Sequence, residues 1–103
     1  MHFPMPDGDP CFFCEIVKGN THQWQIIADD ELTMTLLNGR QFEIGQCIVI
    51  PRRHAPTLLD LELAEEAAVM AAAKRVAQAL VDVYSPDGIL MYQNNGVGRI
   101  NIN

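Results

Sequence analysis

WQIIADDELTMTLLN, residues 24–38, is two alternating runs separated by three acids. Trp24, Ile26 and Ala28 alternate with Gln25 and Ile27, and Leu32, Met34 and Leu36 alternate with Thr33 and Thr35. A period of two sends successive side chains to opposite faces, which is the mark of a half-buried strand. Asp29-Asp30-Glu31 supplies the polar turn, so the stretch reads as a β-hairpin. Past it, Asn38-Gly39 punctuates the chain, and QCIVI (46–50) is a continuous apolar strand closed by Pro51, which cannot extend a ladder as a donor. Before it, CFFCEIVKGN (11–20) spaces Phe12, Phe13, Ile16 and Val17 for one or two helical turns, stopped by Gly19-Asn20. Residues 1–10, with three prolines, two aspartates and a glycine, read as an extended N-terminal arm.

One long helix is expected after the third strand. Asp60 is a fair N-cap, and Glu62, Glu65 and Glu66 sit near its positive end. Val69, Met70, Ala73, Val76, Ala77, Leu80, Val83 and Tyr84 recur at three- and four-residue steps as one apolar stripe, and the alanines allow close approach to a sheet. Ser85-Pro86-Asp87-Gly88 ends the helix, and ILMYQ (89–93) is expected to be a fourth strand. The order of short helix, three strands, long helix and strand gives an α+β layer with a mainly antiparallel sheet.

Length and charge bound the function. The 103 residues make one domain with room for a real core. Thirteen acids against seven basic residues leave a formal charge of −6, which excludes a duplex-binding surface and so any bulk nucleic-acid partner; a small phosphorylated ligand stays open, because a pocket can be locally positive. No apolar run approaches the roughly 18 residues of a membrane span, and the start has neither the basic nor the apolar region of a signal peptide. Cys11, Cys14 and Cys47 make an odd count that favours reduced thiols in a cytoplasm over a disulfide framework.

Several stretches have the residue types of a site. Cys11 and Cys14, three apart, can present two sulfurs to one tetrahedral metal, with zinc the usual occupant. They can equally be two small buried residues; a redox pair would want a preceding strand, and an arm precedes them. His54 in IPRRH is a possible third ligand or a strand-end hydrogen-bonding group, and neither His2 nor His22 is compelled by spacing to be a fourth. Asn38 offers donor and acceptor to a sugar hydroxyl pair, although Asn-Gly is also a common turn signal. Arg52 and Arg53 can reach phosphate or form a solvated edge. QNNGVG (93–98) places two amides before a Gly-x-Gly loop, as either a ligand-contacting or a plain polar turn.

Together, CFFCEIVKGN, WQIIADDELTMTLLN, GQCIVIPRRH, the Leu-Asp-Leu lead into an Ala-rich helix, and QNNGVG resemble the histidine triad family of nucleotide hydrolases and transferases, over residues 11–98. The resemblance implies an α+β HIT-like antiparallel sheet with one short and one long helix. It also implies homodimers and purine mononucleotide or dinucleoside polyphosphate ligands cleaved at the α-phosphorus, phosphoramidates included. By the same resemblance, Asn38 contacts the ribose, Asn94 lies beside ribose and phosphate, and Ile26 and Ile27 wall the base. Where zinc is present, Cys11, Cys14 and His54 match three of its ligands.

The motif that names the family is His-x-His-x-His on the strand after the Gly-rich loop. Three histidines spaced by two share one strand face, and one attacks phosphorus to give a nucleotidyl intermediate. Here QNNGVG is followed by RININ (99–103), which has no histidine. Ile44 and Gln46 also stand where relatives commonly have proline and histidine. The expectation is an incomplete HIT-like domain over 11–103, truncated at the last strand, with no catalytic residue and no turnover as written. The competing readings are a non-catalytic nucleotide-binding module and a zinc-stabilised dimerisation module.

Overall fold

Helix α1 (Phe12–Val17) precedes strands β1 (Gln25–Asp29), β2 (Thr33–Leu37) and β3 (Cys47–Pro51), and helix α2 (Leu63–Tyr84) closes the order. These elements come from a computed structural model that describes residues 12–19, 25–38, 44–93 and 95. The expected arm, Cys11, Trp24, Asn94 and the segment 99–103 lie outside the described residues. The architecture is α+β: an antiparallel sheet in the order β1-β2-β3, with one short and one long helix.

Pairing partners share a sheet face, so the register sorts the side chains. Met34 pairs with Ile50 and Leu36 with Ile48; these four meet Ile16, Phe13 and Val17 of α1 on one face, where Leu36 is fully buried. Thr33, Thr35 and Cys47 belong to the opposite face, which α2 covers by packing on β2 and β3. Both faces of β2 are therefore buried, and its alternation separates two covered faces rather than core from water.

β1 departs from strict alternation. Ile26 pairs with Leu36 but Ala28 pairs with Thr35, leaving Ile27 as the extra residue of a β-bulge. The expected grouping of Ile26 with Ala28 on one face is thus corrected: Ile26 shares the α1 face and Ala28 the α2 face. The turn between β1 and β2 is built by Asp30. Its Oδ1 accepts the N–H groups of Leu32 (2.9 Å) and Thr33 (2.8 Å), and its Oδ2 accepts the Thr33 hydroxyl (2.9 Å).

Three expectations about the second half are also corrected. Asp60 does not cap α2; it ends a 3-10 turn (Leu58–Asp60) and closes a reciprocal cap with Thr57, whose N–H and hydroxyl donate to Asp60 Oδ2 at 3.1 and 2.8 Å. Glu62 is the N-cap of α2, and Glu65 Oε1 reaches back to the Glu62 N–H at 2.8 Å. The covered stripe keeps Val69, Ala73, Val76, Ala77 and Leu80 of the expected one and adds Ala72 as its most buried residue, but Met70, Val83 and Tyr84 are exposed. Finally, ILMYQ is not a strand. Residues 89–93 make no ladder with the described strands and are exposed, because apolar content alone does not form β-structure without a backbone partner. Among the described residues no helix is long and apolar enough to cross a membrane.

Two carboxylates give the fold a pH dependence. The Leu32 N–H, followed by the Thr33 N–H and hydroxyl, holds Asp30 below its ordinary 3.8. The Arg53 guanidinium, and after it the Glu62 N–H, holds Glu65 below its ordinary 4.5. Carboxyls depressed in the folded state stabilise it above their unfolded values, and that contribution is lost as pH falls through the folded values. The expected result is a melting temperature that declines as pH drops below about 4, with a shallower decline for Asp30→Asn. An equal slope for the variant would remove Asp30 from the account.

Candidate nucleotide site

Asn38 lies one residue past β2. Its N–H donates to the Gln46 carbonyl at 2.9 Å, which carries the β2–β3 ladder one step beyond the strands. Alternation then puts Asn38 on the face of Met34 and Leu36, the α1 face, and its side chain is buried, with the residue 2% exposed. Ile26 is on the same face through its pairing with Leu36 and is 42% exposed. A buried amide and a half-exposed apolar side chain thus share one sheet face. Ile27 is 51% exposed and borders a different space, between β1 and α2. The bulge thus separates the two isoleucines that the sequence places side by side.

At the other end of β3, α1 and the chain after the strand converge. Cys14 Sγ and His54 Nδ1 are 3.1 Å apart, although 40 residues separate them. A thiol and an imidazole in contact are donors that suit zinc. Among the described residues no group of three His, Cys, Asp or Glu side chains is close enough to hold a metal.

The two arginines are committed to the fold. Arg52 Nη2 donates to Asp29 Oδ2 and its Nε to the Asp30 carbonyl, both at 2.7 Å, so it pins the hairpin turn to the end of β3. Arg53 grips Glu65 through two bonds, Nη2 to Oε1 at 2.6 Å and Nε to Oε2 at 3.0 Å, and also reaches the Asp60 carbonyl at 2.6 Å. That fork ties the exit of β3 to the first turn of α2.

The segment after α2 is attached through side chains. Gln46 Nε2 donates to the Tyr92 hydroxyl at 2.9 Å, and Asn95 Oδ1 accepts the Leu58 N–H at 2.6 Å while its Nδ2 donates to Gln93 Oε1 at 2.6 Å. The sequence singled out Asn94 of the two adjacent amides through the family resemblance; Asn94 lies outside the described residues, and Asn95 is the one whose hydrogen bonds are described. Gln46, noted in the sequence only as a departure, is the anchor for Tyr92.

Comparison with known proteins adds a family. The HIT domain family matches residues 20–101. An adenosine 5'-monophosphoramidase of Schizosaccharomyces pombe is 30% identical over 86 residues, which cover 84% of this chain and 61% of that protein. An adenylylsulfatase of Arabidopsis thaliana is 27% identical over 86 residues, covering 84% of this chain and 43% of that protein. The crystal structure of a HIT family protein from Bacillus anthracis superposes with a TM-score of 0.79 at 26% identity, over 85% of this chain and 62% of the other. The chain spans less than two thirds of each of these proteins.

Proposed function

Since the chain belongs to the HIT domain family, as the match over residues 20–101 establishes, we propose that it is the nucleotide-holding part of a hydrolase or transferase acting at the α-phosphorus of an adenine nucleotide conjugate. The observation that carries this reading is the placement of buried Asn38 and half-open Ile26 on one face of the sheet. In it the Asn38 amide holds the ribose hydroxyls and Ile26 lies against the base. By the family resemblance, Asn94 is the residue for the ribose and phosphate. The two relatives named for adenylyl substrates support an adenine nucleotide ligand, a phosphoramidate among them; a dinucleoside polyphosphate belongs to the proposal through the family resemblance alone.

Attack on phosphorus needs a nucleophile that these 103 residues do not supply. Their histidines are His2, His22 and His54, and none follows the Gly-rich loop. His54 Nδ1 is against Cys14 Sγ rather than beside Asn38. In this reading the chain binds without turnover. Calorimetry with AMP tests the pocket: saturable binding is expected, weakened about tenfold by Asn38→Ala through loss of a buried hydrogen-bonding group. Flat titrations at millimolar AMP, or an unchanged affinity for the variant, would end the reading.

A second reading rests on the Cys14–His54 contact. We propose zinc held by Cys11, Cys14 and His54, where it would cross-link α1 to the chain after β3 and stabilise the fold. Metal analysis should find one equivalent that is lost in Cys14→Ser, with a matching drop in melting temperature on chelation; metal-free protein that melts unchanged in chelator would exclude it. Homodimerisation is part of the same proposal, supported by exposed Met70, Val81, Val83 and Tyr84 on α2. So is a reducing, cytoplasmic compartment, in keeping with Cys14 and Cys47 standing outside any disulfide.

A further inference from the structure

The space between β1 and the second half of α2 lies on the sheet face opposite Asn38, and the nucleotide reading makes no use of it. It is a hollow of about 230 Å3. Its origin is local: the bulge brings Ile27 and Ala28 to the same side, and the helix answers with alanines where larger side chains would close the gap. Ile27, Val76 and Ala79 give it apolar walls. A dry apolar cavity of roughly 150 Å3 is enough to take up a benzene ring, so this volume admits a ring with a short substituent.

Two polar groups line that space. Thr35 borders the hollow and is only 4% exposed, and its hydroxyl can both donate to and accept from a ligand there. Arg75 stands on the helix side of the hollow with its side chain 61% exposed. Its one contact among the described residues is to Asp30 Oδ2 at 3.4 Å, an oxygen already taken by the Thr33 hydroxyl at 2.9 Å. The guanidinium therefore keeps most of its donors. Cys47, the remaining polar lining group, is neutral, since burial pushes its thiol up from the ordinary 9.0, and it puts no negative charge inside.

We infer that this hollow is a second ligand site, for a small aromatic carboxylate. Its ring lies against Ile27, Val76 and Ala79, and its polar atoms are shared between Arg75 and Thr35. The walls supply the ring's burial, and the arginine fork selects the anion over a neutral or cationic ring.

The test is a two-dimensional amide NMR titration of the 103-residue chain with 4-hydroxyphenylacetate, and with tyramine as the same ring carrying the opposite charge. The carboxylate should move the Thr35, Cys47 and Ala79 amides with a dissociation constant on the order of 1 mM, as befits a ligand of this size. Tyramine should leave them still. Arg75→Gln should weaken the carboxylate about tenfold, and Ala79→Leu, which fills the hollow from an exposed helix position, should abolish the shifts. AMP should perturb a different set around Asn38, so failure of one site is distinguishable from failure of the other. Equal response to tyramine, shifts confined to the Asn38 face, no shifts at all, or unchanged affinity in Arg75→Gln would each overturn the inference.

Discussion

Incubated with adenosine 5'-phosphoramidate, the 103-residue chain is expected to release AMP no faster than buffer. The expectation is a matter of atoms. Displacement at phosphorus needs a nucleophile with an available lone pair near neutral pH, and among the family's parts that is a histidine on the strand after the Gly-rich loop. Residues 99–103 offer arginine, isoleucine and asparagine. An amide nitrogen is not basic, and loss of a nucleophile in enzymes of this general kind costs on the order of 10⁴–10⁶ in kcat. What stays behind is the binding surface, which can orient a nucleotide and accelerate little. Appending a His-x-His-x-His segment after the loop should restore turnover. AMP release by the pure, unextended chain at a rate sensitive to Asn38→Ala would refute the proposal at its centre.

Leu36→Ala should be the most damaging single substitution in the described core. Leu36 is 0% exposed and touches α1 through Ile16 while pairing across the sheet with Ile48 and, on its other side, Ile26. Truncation removes burial and leaves a cavity among elements that cannot close over it, a loss of about 3 kcal/mol. A domain this size has a total stability of roughly 5–15 kcal/mol, so the urea midpoint should fall by a fifth or more. Met70→Ala is the control. Met70 is 56% exposed on α2, and its removal should change stability by less than about 0.5 kcal/mol. If the two variants unfolded at the same urea concentration, the core would have been placed on the wrong residues.

The parts of the fold that could be read from the sequence are those governed by local periodicity. β2, β3 and α2 lie where alternation, an apolar run and three- to four-residue spacing put them. The misreadings share one cause, namely that a long-range partner decides. The phase of β1 depends on which residue opposes Leu36 and Thr35, and nothing in QIIAD marks Ile27 as the extra one. Asp60 has the chemistry of an N-cap, but it ends the 3-10 turn that Thr57 caps and closes that cap from the third position. ILMYQ has strand composition, but composition does not supply an edge to pair with. The place of Asn38 at the end of β2 was legible from the alternation before it. The Cys14–His54 contact had its signal in the residue types alone. The hollow had none, since Thr35, Arg75 and Ala79 come together only when α2 crosses the sheet.

Gly45 shows how the helix position is fixed from below. It has a φ of +90°, in the region that favours glycine, and a Cβ there would come within 2.8 Å of the Tyr84 ring and 3.0 Å of Leu80 Cδ2. The last turns of α2 can settle over the start of β3 only because that residue has no side chain.

The extra residue in β1 has a genetic corollary. It acts as a phase break: Ile26, before it, answers to one compartment, and Ala28, after it, to the other. Losing the single codon for Ile27 would leave the reading frame whole and the pairing as well, since Ile26 would still oppose Leu36, Ala28 Thr35 and Asp29 Met34. A one-residue deletion here should be tolerated more readily than at its neighbours in β1, where the same loss would slip the register and send side chains to the wrong face.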